Sequence, residues 1–251
     1  MPVDPKSKPQ DESRRRFLLN SGVALGGLMA GGVLAGIIGD TVKDKPKTTP
    51  PQKEANKGPY QQALMFFTQE AFQITEAAAE RIFPKDDAGP GAKELGVAYY
   101  IDHQLAGQWG VNAREYMMGP FQPGEETQGY QARLKRNDLF LAGLGALRDY
   151  SMKKYNKSFQ ALESVEQDEV LKVFEKGGEV KVSGLASSAT FFSLLRQLTL
   201  EGVYADPMYS GNADMQGWRM RSYPGAKMSY INDIEKDKFI KYDPVSLHSM
   251  M

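Results

Sequence analysis

The chain has 251 residues, 41% of them hydrophobic and 10% aromatic, which is enough apolar mass for one globular domain with a tail and too little for two large ones. It contains no cysteine, so disulfides, thiolate metal sites, iron–sulfur clusters and covalently attached haem are excluded, and two histidines, His103 and His248, leave little basis for a histidine-rich metal site. Thirty-one basic residues balance thirty-one acidic ones, and residues 60–251 carry 21 of the former against 25 of the latter. No concentrated Lys/Arg stripe is therefore available to displace the counterions of a nucleic acid.

The first local signal lies at Ser13–Leu19, where Arg14, Arg15 and Arg16 precede Phe17, Leu18 and Leu19. A weakly apolar, glycine-laden stretch, SGVALGGLMAGGVLAGIIG, follows from Ser21 to Gly39. Together they read as a twin-arginine (Tat) export signal in residues 1–39, with Arg14, Arg15, Phe17 and Leu18 as the recognised residues. A second reading is a membrane anchor, since Phe17 to Gly39 as a helix could span the roughly 30 Å of a bilayer core with basic residues on the cytoplasmic side. Both place the folded domain on the outer face of the cell membrane or in the periplasm. Ile37 and Ile38 stand where a cleavage site needs small residues, which leaves retention as an anchor open, and the missing cysteine excludes lipoprotein processing.

Residues 40–59, rich in Lys, Pro, Thr and Gln, have the composition of an extended, solvated linker. From Tyr60 the punctuation becomes helical. Thr68 should cap a helix running to Phe83, in which Ala71, Ile74, Ala78 and Ile82 recur at helical spacing after Phe67, and Pro84 ends it. PKDDAGPG is a turn-rich loop, and a second helix is expected over Ala92–Gly107. Trp109–Gln131 reads as a long irregular loop bearing glycine, proline and aromatic residues. A third helix is expected over Asp138–Tyr155, a fourth over Val165–Lys176 capped by Ser164 and stopped by Gly177, and a fifth from Leu185 to about Glu201 through Phe191, Leu194, Leu195 and Leu198. No segment alternates convincingly as a strand. The class is mainly α, a compact domain of about five helices with long irregular loops.

Glu201–Gly225 reads EGVYADPMYSGNADMQGWRMRSYPG. Glu201, Gly202, Asp206, Pro207, Tyr209, Gly211, Asn212, Gly217, Trp218, Tyr223, Pro224 and Gly225 follow the pattern of the gluconate 2-dehydrogenase subunit 3 family, which the chain resembles. Ser210 departs from it, standing where the family has a glycine. A second block, Ile82, Phe83, Pro84, Pro90, Gly91, Ala92, Ile101 and Asp102, also resembles the family, and Gly119, Pro120, Gly129 and Tyr130 lie between the two. The resemblance covers residues 60–226; residues 227–251 fit no motif and are either an ordered arm or a flexible tail.

Physically, the glycines of this block permit positive φ or close backbone approach, and Pro207 and Pro224 stiffen a coil that would otherwise be costly to order. Tyr204, Tyr209, Trp218 and Tyr223 supply rigid apolar area with polar tips, the composition of interface anchors. With Asp206, Pro207, Asn212 and Pro224 they form the expected partner-binding set; the alternative is that the same aromatics cover the domain's own core. Asp206, Asn212 and Asp214 offer oxygen ligands at short spacing, but not in an EF-hand pattern, and caps and turns account for them as well.

No nucleophile elbow, dinucleotide fingerprint, Walker loop or His-Glu-x-x-His pair is present. The resemblance implies a small subunit with no catalytic residue, cofactor or metal of its own. Its implied partner is a large FAD-containing dehydrogenase of the glucose–methanol–choline class that oxidises gluconate or a related sugar or polyol, in some members with a membrane cytochrome c carrying haem. It would contribute the export signal read by the Tat translocase. Two other classes stay open: a stand-alone helical enzyme around Asp102, His103 and Glu115, and an exported interaction module without a dehydrogenase partner.

Overall fold

A computed structural model describes residues 62–250, apart from 123–124, 129–132 and 185. The twin-arginine segment, the apolar stretch 17–39 and the linker 40–59 lie outside the described residues. Six α-helices occur among the described residues: α1 Gln69–Ile82, α2 Val97–Ala106, α3 Arg136–Tyr155, α4 Ser164–Lys176, α5 Ser188–Tyr204 and the short α6 Gln216–Met220. None of them is long and apolar enough to cross a membrane. The domain is mainly helical, as its periodicity requires.

Helix α5 is the axis of the domain and packs against α1, α2, α3 and α4. Its Phe191, Leu195 and Leu198 are fully buried, and the Phe191 ring meets Phe140 of α3 and Phe174 of α4 edge-on, at centroid distances of 5.4 and 6.1 Å. Each such ring contributes roughly 1.5–3 kcal/mol through burial alone. Gly143 makes this packing possible, because a Cβ there would overlap the Phe191 ring. An Arg81–Asp168 pair, doubly bonded at 2.6 and 2.9 Å, ties α1 to α4.

Local chemistry sets the helix ends. Thr68 caps α1 by accepting from Ala71 N–H, and the Phe67, Ala71, Ile74, Ala78 and Ile82 stripe is buried as its spacing requires. The second helix begins at Val97, five residues later than expected. Glu80 explains the delay: its carboxylate accepts from Lys85 N–H and Lys93 N–H, at 3.1 and 2.9 Å, and so shapes the preceding loop. Residues 92–96 then make a separate turn that Gly96 closes at φ +71°, a conformation costly for residues with a side chain.

Helix α3 starts two residues early because Gly110 O and the Asn112 side chain accept from the N–H groups of Asn137 and Arg136, two of the donors a helix start leaves open. Glu163, not Ser164, caps α4, its N–H donating to the Glu166 carboxylate at 2.9 Å in a capping box. Gly177 ends α4 at φ +68°, as expected. The absence of strands does not hold: β1 Lys181–Ser183 and β2 Ala186–Ser187 form a small antiparallel hairpin, which delays α5 to Ser188, where Ser187 provides the cap.

Candidate functional site

Glycine and proline run through the coil that follows α5, and it turns back on the helix end within twenty residues. Asp206 begins it. Its carboxylate accepts from Met208 N–H at 3.1 Å, the Asx-type cap of a Pro207–Tyr209 turn, and also from Ser246 Oγ–H at 2.6 Å and Leu247 N–H at 2.8 Å. Asn212 is fully buried at φ +49°; its amide donates to Ala205 O at 2.8 Å while its carbonyl accepts from Gly217 N–H at 2.7 Å. Both side chains are thereby engaged by donors and acceptors of the chain itself, Asp206 by two backbone N–H groups and the Ser246 hydroxyl, Asn212 by backbone groups alone. Among the described residues no cluster of three or more His, Asp or Glu side chains could hold a metal ion.

Backbone approaches here are close. A Cβ at Gly211 would strike the Gly202 carbonyl, and one at Gly217 would strike Val203 O. Ser210, Asn212, Asp214, Met215 and Ser222 all hold positive φ. Ser210, at φ +73°, takes the left-handed conformation for which the family pattern has glycine.

Trp218 lies at the centre, 6% exposed. Its Nε1–H donates to Tyr204 O at 2.8 Å, satisfying a carbonyl at the C-terminal end of α5, and its ring meets Tyr223 edge-on at 5.4 Å. The eight residues expected to bind a partner therefore divide into two groups. Asp206, Asn212 and Trp218 point inward and shape the coil. Tyr204, Tyr209 and Tyr223 are exposed, with Pro207 and Pro224 half-buried beside them.

The coil also joins the two sequence blocks. Ala213 N–H donates to Leu95 O at 3.1 Å, Ser210 O abuts Gly96, and Gly202 lies against Val97 and Tyr100 of α2. Burial, then the nearby Glu201 charge, pushes the Tyr100 phenol well above its ordinary range, so it stays protonated.

The residues of the stand-alone enzyme alternative are placed otherwise. Asp102 is fully buried and accepts from Met65 N–H (2.6 Å), Phe66 N–H (3.1 Å) and Phe67 N–H (2.6 Å), pinning the segment that leads into α1. His103 Nε2–H donates to Ala63 O at 2.9 Å. Glu115 pairs with Arg136 at 2.8 Å and with Asn112.

Sequence reasoning missed the C-terminal arm as part of this site. Gly225 forms a parallel bridge with Val245, Ala226 N–H donates to Val245 O at 2.8 Å, Val245 N–H donates to Pro224 O at 3.1 Å, and Ser246 and Leu247 close onto Asp206. The segment after Gly225 thus returns to the coil at Val245–Leu247. Its partners lie 19 to 41 residues away in the chain and leave no local signal.

The fold and its site define a helical domain closed by a glycine-, proline- and aromatic-rich coil around the end of its central helix. Residues 69–225, well over half the chain, match the gluconate 2-dehydrogenase subunit 3 family, and the chain belongs to that family. No curated protein and no solved structure matches it.

Proposed function

We propose that this chain is the non-catalytic small subunit of an exported dehydrogenase complex. In this reading its catalytic subunit is an FAD-containing flavoprotein of the glucose–methanol–choline class, acting on gluconate or a related sugar or polyol and passing electrons to an acceptor such as a membrane haem c subunit. The single observation that carries the reading is the family match over residues 69–225. The engagement of Asp102, His103, Asp206 and Asn212 in backbone hydrogen bonds supports a scaffolding role over a stand-alone enzyme.

The small subunit acts by linkage. A partner that binds only the folded flavoprotein raises its apparent stability by about 2.7 kcal/mol at a concentration a hundredfold above Kd. Arg14, Arg15, Phe17 and Leu18 supply the Tat address for both chains, and residues 17–39 tether them at the outer face if they are retained.

Co-expression with a glucose–methanol–choline-class flavoprotein from the same genome tests this. The two chains should purify together with bound flavin, the small subunit alone should show no turnover, and changing Arg14 and Arg15 to Lys should keep both in the cytoplasm. Recovery of the small subunit free of flavoprotein would refute the subunit reading. Normal flavoprotein export with the paired lysines would refute shared export.

A further inference from the structure

The arm leaves the signature coil after Gly225 and comes back to it at Val245. Not one of residues 226–243 is buried, whereas Pro244 and Ser246, at the point of return, are. The seat for that return is a close backbone contact: Gly225, at φ +72°, stands so near Val245 and the Trp218 ring that a Cβ would overlap both. Ala226 N–H donates to Val245 O at 2.8 Å, and Val245 N–H donates to Pro224 O at 3.1 Å. The Asp206 carboxylate completes the closure, accepting from Ser246 Oγ–H at 2.6 Å and from Leu247 N–H at 2.8 Å.

Between these ends the arm is braced against itself. The Asp233 carboxylate takes Lys227 at 3.2 Å, Lys236 at 2.6 Å and the Tyr242 hydroxyl, and the Lys227 ammonium lies 3.3 Å from the Tyr242 ring centroid. These contacts join the start of the arm to its returning side and use no group of the helices. Asp243 crosses to Arg219 at 3.4 Å, but its side chain is 89% exposed, and such a pair contributes little. Segments that bury few groups open locally, at a fraction of the free energy of global unfolding. Closing so long a loop costs chain entropy, which a few hydrogen bonds of modest net worth must offset. The balance is decided at the latch, where the carboxylate is the strongest acceptor of the set.

We infer that residues 226–247 form a latched strap that opens from the domain as one unit while the helices stay folded, with the bonds of Ser246 and Leu247 to Asp206 as the latch. The Asp233 cluster makes the strap move as a piece. Opening bares the Asp206 carboxylate and the backbone edge at Gly225, while the bond from Met208 N–H keeps the Pro207–Tyr209 turn capped. Access to this polar edge of the signature coil is thereby set by a segment that lies beyond the residues matching the family.

Hydrogen exchange of the full chain tests this, resolved to single amides by mass spectrometry with electron-transfer fragmentation, at several urea concentrations below the unfolding transition. In wild type the amides of Ala226, Val245 and Leu247 should be protected and should exchange together. Their urea dependence should be far weaker than that of the α1 and α5 amides, because opening the strap exposes little surface. Ser246→Ala, which removes the hydroxyl from the latch, should speed these three amides at least ~10-fold and leave α1 and α5 unchanged. Ser229→Ala, an exposed serine of the arm bonded to Ile231 N–H, should match wild type. Exchange of the strap amides with the urea dependence of the helices would overturn the inference, since the strap would then open only with the whole domain. Absence of protection in wild type, equal rates in Ser246→Ala and wild type, or acceleration of α5 in Ser246→Ala would overturn it as well.

Discussion

Replacing Trp218 with alanine separates a side chain that builds the coil from one that anchors a partner. The indole is 6% exposed, and its Nε1–H holds the Tyr204 carbonyl at 2.8 Å. Truncating a buried tryptophan costs about 3–5 kcal/mol, including the cavity. Trp218→Phe keeps most of the ring against Tyr223 and loses the hydrogen bond, for about 1–2 kcal/mol. Against a typical total of about 5–15 kcal/mol, the alanine variant should be visibly unstable and the phenylalanine variant intermediate. Urea unfolding followed by helical circular dichroism measures both, and avoids tryptophan fluorescence, which the substitutions themselves alter. An alanine variant within about 1 kcal/mol of wild type would refute the inward role and return Trp218 to the set of partner contacts.

Asp102→Asn should destabilise the domain by about 2–4 kcal/mol, because its new NH2 group would face one of the three N–H donors that now share a buried carboxylate; the same urea titration checks it. Ser210→Gly should stabilise by about 0.5 kcal/mol, the relief of a left-handed serine partly offset by a more flexible unfolded chain, and a lowered midpoint would contradict it. The Asp233 carboxyl is held well below the ordinary range by hydrogen bonds from Lys236, then Tyr242, with Lys227 adding to them. Its stabilising contribution is therefore complete above the unfolded value of about 3.9 and is lost as pH falls through the lower folded value. Limited proteolysis with an acid-active protease should cut within residues 227–245 faster as pH drops through that window, and an unchanged rate would argue against the cluster bracing the arm.

Much of the fold was legible because its signals are local. The Phe67–Ile82 stripe, Thr68 before it and Pro84 after it define α1 without tertiary help, and Gly177 marks the end of α4. The errors arise where a distant group decides. The Glu80 carboxylate, not any propensity of Ala92, shapes the loop before α2, and Gly110 and Asn112 extend α3 backwards. A hairpin with strands of three and two residues is too short for alternation to register.

The candidate site was legible as a motif but not in its orientation. Trp218 and Tyr223 have similar chemistry in sequence, yet one is buried and the other half exposed, because Trp218 reaches the end of α5 and Tyr223 lies outside it. Asp206 looked like a surface contact and instead latches the arm, through Ser246 some 40 residues later. The arm itself has neither periodicity nor motif; its contacts are that latch, the Val245 bridge and the Asp233 cluster.

The most direct test of the account is the mass and absorbance of the co-expressed pair, by size-exclusion chromatography with light scattering and flavin detection. A single peak should contain both chains and the flavin, with dehydrogenase activity confined to fractions that hold the flavoprotein. Separate elution of the two chains, or sugar oxidation by fractions holding only this one, would contradict it.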